Sequence, residues 1–370
     1  MEKQVAIYRT PLKRLMRIRA VLRARVLDAF LVTSPENRRY LSGFTAEDAA
    51  INESSGALFI TPAEAVVLTD GRYGAQAGLD CPGWRVFIYQ KGLKEAVKRL
   101  TDGTKVKRVA YEPEYITCAG LDSLKKTCPQ IDFVPLQGRI ETMRAVKSPE
   151  ELGFIKAAIS AAEDVFEEIS SSIRPGMTEK EIALRIVEGL SRRADGPSFP
   201  PIVASGPNGA LPHAIPAERP IREGEPIIID MGARLDGYSS DMTRTIFIGQ
   251  PRPPFKEIYK MVRKAQIAAQ DTIRAGMAAN AVDKTARDII NAAGYGQMFN
   301  HSLGHGIGLA VHEAPVLSPR AKKTLKPGMV VTIEPGIYLP GQGGVRLENM
   351  VYVEERGRLV LSRDEWFYDF

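Results

Sequence analysis

The pentapeptide Ile173-Arg174-Pro175-Gly176-Met177 returns as Ile273-Arg274-Ala275-Gly276-Met277, one hundred residues later. Each copy follows a long helical pattern and precedes a shorter one, with strand-like segments after both. Self-similarity at a fixed spacing marks a duplicated supersecondary unit. The later part of the chain is therefore expected to be a duplicated α+β domain of two related halves, each helix–turn–helix and then strands. A site can form between such halves.

The start of that domain is legible near Lys147. Ser148-Pro149-Glu150-Glu151 carries a serine cap, proline at the first helical position and glutamate three after the cap, a helix-start signature. The helix is predicted to run to about Ser172. Thr178 with Glu181 repeats the signature before a helix ending near Arg192, and 281–293 forms the matching helix of the second copy, closed by Gly294. Before this boundary, apolar strand candidates at 30–34, 57–62, 65–70, 86–89, 108–113 and 132–136 alternate with helical patterns at 11–28 and 92–101. That alternation predicts a smaller α/β domain over residues 1–140, followed by the larger domain over 148–370. The polar stretch 69–73 in the first domain reads as a structural turn.

Net charge is +6, and much of it lies early, in Arg9, Lys13, Arg14, Arg17, Arg19, Arg23, Arg25, Arg38 and Arg39. No acid stands between Glu2 and Asp28, which raises a targeting presequence or a nucleic-acid arm. However, Leu12, Leu15, Ile18, Leu22 and Val26 mark one helical face with arginines around the other, so a solvated surface helix is expected and no nucleic-acid partner. No run approaches eighteen apolar residues, which argues against a membrane span. Cys81, Cys118 and Cys128 are odd in number and lack metal spacing. They predict free thiols in a reducing compartment, hence a cytoplasmic location.

The chemistry-bearing residues lie in the second domain. Within 227–245, Asp236-Gly237 is a hairpin-turn dipeptide. A two-residue turn there sets Gly232 opposite Asp241 and brings Asp230 onto the same face, a diagonal neighbour of Asp241 roughly 7 Å away along the backbone. Asp230 ends an apolar run. Two carboxylates on one buried face repel, and a bound cation relieves them. Glu334 ends another apolar strand, and Glu348 lies in a third. Each alone is more often a surface or salt-bridged carboxylate. Of the four histidines, His301, His305 and His312 fall in one glycine-rich stretch, and His213 lies upstream. His301 and His305 have helical i, i+4 spacing, but Ser302 stands where a zincin helix needs glutamate, and Gly304, Gly306 and Gly308 argue for loop. Carboxylates and imidazole together form a donor set for one or two divalent ions such as Mn²⁺, Co²⁺ or Zn²⁺.

The segments ALPHAIP, IIIDMGARLDGYSSDMTRT, HSLGHGIGLAVHE, TIEPGIY and GGVRLEN, in that order, resemble the pita-bread metallopeptidase family of methionine aminopeptidase, aminopeptidase P, prolidase and creatinase. The first domain resembles the creatinase-type amino-terminal domain. The resemblance implies two divalent ions per chain, Mn²⁺ or Co²⁺ foremost, held by Asp230, Asp241, His305, Glu334 and Glu348, with Asp241 and Glu348 bridging. It implies that His213 and His312 contact the substrate and steady the tetrahedral intermediate, that Glu334 also relays a proton, and that His301 and Arg346 lie near the substrate. Read from the residues alone, His301 could instead support a ligand from behind. Arg346 could pair a strand carboxylate, and His312 could form a surface pair with Glu313.

The activity implied is hydrolysis of the Xaa-Pro bond at the amino terminus of dipeptides or short peptides, by a hydroxide held between the ions, in a homodimer. Alternatives are an aminopeptidase P-type enzyme acting on longer peptides and a non-catalytic peptide-binding module. The full ligand set disfavours the module. Val316 stands where many prolidase-like sequences carry arginine, which weakens the case for holding a dipeptide's carboxylate. Asn349 stands where aspartate is common, beside a ligand.

Overall fold

The computed structural model describes the backbone of residues 2–370 and the side chains of residues 12–370, so the Arg9 side chain lies outside the described residues. The chain divides into two compact units, the first ending at Met143 and the second Arg144–Phe370.

In the first unit, the helix Glu2–Ala24 buries Leu15, Ile18 and Leu22. The expected apolar face is shorter than the sequence pattern. Leu12 is 55% exposed and Val26 73% exposed. The helix stops before Val26, whose φ of 53° takes it off the helical face. Arg17, Arg23 and Arg25 are exposed, as a surface helix requires. Arg14 lies over the Tyr40 ring, and Arg19 donates to the carbonyls of Thr61 and Ala63. Arg38 differs from its neighbours in being fully buried, where its guanidinium meets Asp48, Ser54 and Ser55.

The strands Arg85–Ile88, Ala65–Thr69, Gly56–Ile60, Ala29–Val32, Arg108–Tyr111 and Asp132–Pro135 form a six-stranded mixed sheet in that spatial order. Helices Pro35–Ser42, Gly74–Asp80, Cys118–Thr127 and Arg139–Arg144 have no counterpart in the sequence reading. They are short and carry little apolar period. Two do have readable caps, with Ser34 and Thr117 accepting from the backbone of Asn37 and Gly120.

The second unit is built from two copies of one pattern. Helices Pro149–Ser172 and Glu179–Arg193 open the first, and helices Phe255–Thr272 and Ala279–Ala292 open the second. Ser148–Glu151 and Thr178–Glu181 both form complete capping boxes. The repeated pentapeptides are the bends between paired helices. Gly176 and Gly276 have φ of 91° and 82°, left-handed values that glycine adopts without strain. Gly176 N–H donates to Ile221 and Gly276 N–H to Leu325, while Ile221 and Leu325 donate back to Met177 and Met277. Each bend is thus stitched to the segment that starts its half's strand. Those strands are Pro226–Met231 and Val330–Ile333. Asp230 and Glu334 occupy equivalent places at their ends, each six residues past a left-handed glycine, Gly224 or Gly328 (224 to 230, 328 to 334). Val165, Ile186 and Ile229 pack in one core, and Val262, Ile290 and Val331 in the other.

The hairpin takes the register read from sequence. Leu235 pairs with Tyr238, Met231 with Met242 and Asp230 with Thr243. Asp236 and Gly237 have φ of 48° and 75°, the two positive values of a type I′ turn. Gly232 is required by close approach, because a Cβ there would lie 1.9 Å from the Ser240 carbonyl oxygen and 2.3 Å from Ser198 Oγ. Gly232→Ala should therefore destabilise the protein by roughly 2 kcal/mol or more. Gly153→Ala, in an exposed helical position with open space around it, should stabilise it by about 0.5–1 kcal/mol. Denaturant melts of both variants check this pair, and equal effects would remove the steric argument for Gly232.

Candidate metal centre

Asp230, Asp241, His305, Glu334 and Glu348 come from strands or strand ends of the second unit. Asp241 leads into the strand Met242–Phe247 and Glu348 into Asn349–Glu354, while His305 lies in Gly304–Gly306. Donor atoms of Asp241, His305 and Glu348 all fall within 4.8 Å of one another. His305 Nε2 lies 3.6 Å from Asp241 Oδ2 and 3.4 Å from Glu334 Oε1. Asp230 sits close enough for its charge to push up the carboxyls of Asp241, Glu334 and Glu348. Burial is the larger cause of the rise at all three.

His305 is set to present a lone pair. Its Nδ1 lies 3.1 Å from the Gly306 carbonyl, an acceptor only, so Nδ1 carries the proton and Nε2 is left bare toward the carboxylates. Burial, and then the neighbouring His312, lower its pKa to about 4, so the ring is neutral near pH 7. A bare imidazole nitrogen and ionised carboxylate oxygens 3.4 and 3.6 Å away repel, and a cation among them would relieve it.

Two buried oxygens support the same conclusion. Asp230 Oδ1 and Glu348 Oε1 have no hydrogen-bond partner, a state that costs about 1–3 kcal/mol per group, more when charged. Their sister oxygens are both occupied. Arg346 donates to Asp230 Oδ2 at 2.7 Å and Thr243 donates to Glu348 Oε2 at 2.8 Å. The open oxygens and the Nε2 lone pair are the donor types that a hard-to-borderline divalent ion takes. The residues present fit such ions.

The residues behind the ligands were largely absent from the sequence reading. Thr243 spans Glu348 and Arg346. Thr332 donates to Glu334 at 3.2 Å and accepts the His305 N–H at 3.0 Å. Arg244 is fully buried and donates to the Glu348 carbonyl. The hairpin register, which sets Thr243 opposite Asp230, was the signal that could have exposed Thr243.

Arg346 was expected near the substrate. It is 3% exposed and turned inward, donating to Asp230, Thr243, Tyr338 and the Pro212 carbonyl. It pairs a strand carboxylate from behind. His301 was also expected to face the substrate, but its Nδ1 meets the Ser302 carbonyl and its Nε2 meets the Tyr338 hydroxyl. Because Tyr338 accepts from Arg346, its own proton is free for His301, giving one chain Arg346–Tyr338–His301. Neither ring nitrogen of His301 is left for a substrate. Burial, and then Arg346, hold its pKa to about 4.

His213 and His312 are the exposed histidines of the set. The His312 ring lies 4.3 Å from that of His305, centroid to centroid. Burial, and then His213, lower the His312 pKa, while Asp230 raises it.

Residues 153–355 match the model of metallopeptidase family M24, and residues 14–146 match the creatinase/prolidase N-terminal domain. The chain belongs to metallopeptidase family M24. Its fold is accordingly a pita-bread catalytic domain preceded by a creatinase-type amino-terminal domain, and it is a peptidase. It is 37% identical to the uncharacterized peptidase YqhT of Bacillus subtilis over 91% of this chain and 94% of that protein. A solved structure named Xaa-Pro dipeptidase from Bacillus anthracis is 36% identical, with a TM-score of 0.88 over 96% of this chain and 98% of that one. The X-Pro aminopeptidase from Thermotoga maritima is 34% identical, with a TM-score of 0.87 over 94% of this chain and 97% of that one.

Membership of metallopeptidase family M24 implies divalent metal ions, and Asp241, His305 and Glu348 form a cluster that could hold one. Glu348→Ala removes one of the three donors that lie within 4.8 Å of each other. Elemental analysis after dialysis should show less bound Mn²⁺ than in the unsubstituted protein. Equal metal content would take Glu348 out of the ligand set.

Proposed function

We propose that this chain is an Xaa-Pro peptidase, with catalysis in residues 148–370, that cleaves the bond before proline at the amino terminus of dipeptides or short peptides. The observation that carries the metal part is the buried cluster in which Asp230 Oδ1 and Glu348 Oε1 lack hydrogen-bond partners and His305 Nε2 faces carboxylate oxygens of Asp241 and Glu334. The names of the solved Bacillus anthracis and Thermotoga maritima structures support the choice of substrate. Asp230, Asp241, His305, Glu334 and Glu348 would hold two divalent ions, Mn²⁺ or Co²⁺. Such ions supply Lewis acidity that activates water and polarises the scissile carbonyl.

The remaining work falls to side chains. Glu334 would also receive and return a proton during hydrolysis. His213 and His312 present ring N–H groups from the exposed side and offset charge developing on the carbonyl oxygen. Thr332 and Thr243 hold Glu334 and Glu348 in place. Acidic groups around the cluster attract the free amino terminus of the peptide.

The length of peptide accepted turns on Val316. It pairs directly with His305 across an antiparallel ladder and is 48% exposed. Residues opposite each other in such a ladder share a face, so Val316 lies on the His305 side of the sheet. An apolar, uncharged group there favours a neutral extension of the peptide over a carboxylate, as in the aminopeptidase reading.

Chelation should abolish hydrolysis of Ala-Pro and Ala-Pro-Ala, and Mn²⁺ or Co²⁺ should restore it. Activity in protein shown by elemental analysis to be metal-free would remove the mechanism. Cleavage of Met-Ala-Ala in preference to both would remove the proline assignment. His312→Ala should lower kcat by about 10²–10³ with little change in KM or metal content. Loss of metal would instead make His312 a ligand. Val316→Arg should raise kcat/KM for Ala-Pro more than for Ala-Pro-Ala, and an equal effect on both would place Val316 away from the peptide's carboxylate.

A further inference from the structure

Next to His312, Glu313 enters a buried ion cluster that the hydrolytic scheme does not use. Glu313 Oε1 accepts from Arg144 at 2.5 Å and from the Ala310 N–H at 3.0 Å, while Oε2 accepts from Lys147 at 3.1 Å. Lys147 Nζ also donates to the Arg144 carbonyl at 2.9 Å. The three side chains are 5% exposed or less. Burial would raise the Glu313 carboxyl, but Lys147 and then Arg144 hold it down at about 2, so it is ionised across the working range of the protein. Taking three charges out of water is expensive, and apolar packing often serves stability equally well. The cluster therefore calls for a role beyond stability.

Its place in the chain supplies one. Glu313 begins the strand Glu313–Leu317 and faces the cations, and His312 precedes it. His312 lies in the bend directly before that strand, so anchoring the Glu313 side chain fixes the backbone from which the His312 ring projects. The loop has no slack. Gly308 N–H donates to the Ala310 carbonyl, and its own carbonyl accepts from Ser239. A Cβ on Gly308 would lie 2.9 Å and 3.1 Å from the Glu313 carboxylate oxygens and 3.1 Å from Lys147 Cε. Glu313 is thus tied to the turn 308–313 through Ala310 and to the chain outside it through Arg144 and Lys147.

We propose that Glu313, clamped by Arg144 and Lys147, is a positioning residue that holds the His312 imidazole in its working place beside the carboxylate cluster. The inference rests on the peptidase reading for its consequence in turnover, but not for its geometry. A misplacement of about 1 Å in a group acting on the transition state can cost about 10²-fold in rate.

The test is a double-substitution cycle in the full-length, metal-loaded protein. Glu313→Gln should lower kcat on Ala-Pro or Ala-Pro-Ala by about tenfold or more, with KM changed less than about twofold and metal content unchanged. In a His312→Ala background, the same substitution should change kcat by less than about twofold, because the residue it positions is gone. An equal loss in both backgrounds, or loss of metal, overturns the proposal. Glu313→Gln strands two buried cations, so Lys147→Met, which keeps the Arg144 pair, runs through the same cycle and decides if the first variant does not fold. A second arm needs no turnover. In zinc-loaded protein labelled with ¹³C-histidine, the His312 ring signal, identified by its loss in His312→Asn, should shift or broaden in the Glu313 or Lys147 variant while the His301 signal stays. An unmoved His312 signal overturns the proposal. If the unsubstituted protein cleaves neither peptide, the peptidase reading fails, and this arm still decides the positioning role.

Discussion

The second unit is organised around a crowding of buried negative charge. Asp241 and Glu348 are 6% and 2% exposed, and Asp230, Glu334 and the bare nitrogen of His305 adjoin them. The guanidinium groups of Arg346 and Arg244 stand behind the cluster, and Arg346 pairs directly with Asp230. They leave Asp230 Oδ1 and Glu348 Oε1 unpartnered. In the folded chain alone, burial and mutual repulsion drive the carboxyls of Asp241, Glu334 and Glu348 toward protonation. Divalent ions bound there would offset the repulsion and satisfy the open oxygens.

Duplication explains how the chain builds such a site. Each half ends an apolar strand in a carboxylate, Asp230 in one and Glu334 in the other, at the same distance from a left-handed glycine. The helix bends at Gly176 and Gly276 are stitched to the starts of these strands by matching hydrogen bonds. The acids are thus held by backbone that the core fixes. Asp230 is held by Arg346 from a separate two-stranded sheet, and Glu334 by Thr332 two residues before it on its own strand, which restrains rotation of each carboxylate.

Legibility in the sequence followed the physics of each feature. The hairpin register was readable because Asp236-Gly237 selects one turn type, and that register then places Asp230 and Asp241 on one face. The capping boxes at Ser148 and Thr178 were readable because the cap is local chemistry. The short helices of the first unit were not, since their burial depends on neighbours distant in sequence. Val26 fitted an apolar period that the helix does not reach, because the period says nothing of where the helix stops, and Leu12 fitted it within the helix yet stays exposed. The supporting network was the least visible. Arg346, Tyr338 and His301 are separated by up to 45 positions (301 to 346), and only the fold shows that they form one hydrogen-bonded chain. Glu313 was visible only as a partner for His312 at the surface, whereas the fold turns it inward to Arg144 and Lys147.

The most direct test of the central claim is anomalous diffraction from crystals of the protein loaded with Mn²⁺, recorded on both sides of the manganese absorption edge. The account predicts two anomalous peaks, both within coordinating distance of the cluster, with His305 Nε2 on one and the open oxygens of Asp230 and Glu348 facing the pair. Full loading with no peak among Asp230, Asp241, His305, Glu334 and Glu348, or peaks held by other residues, would contradict it.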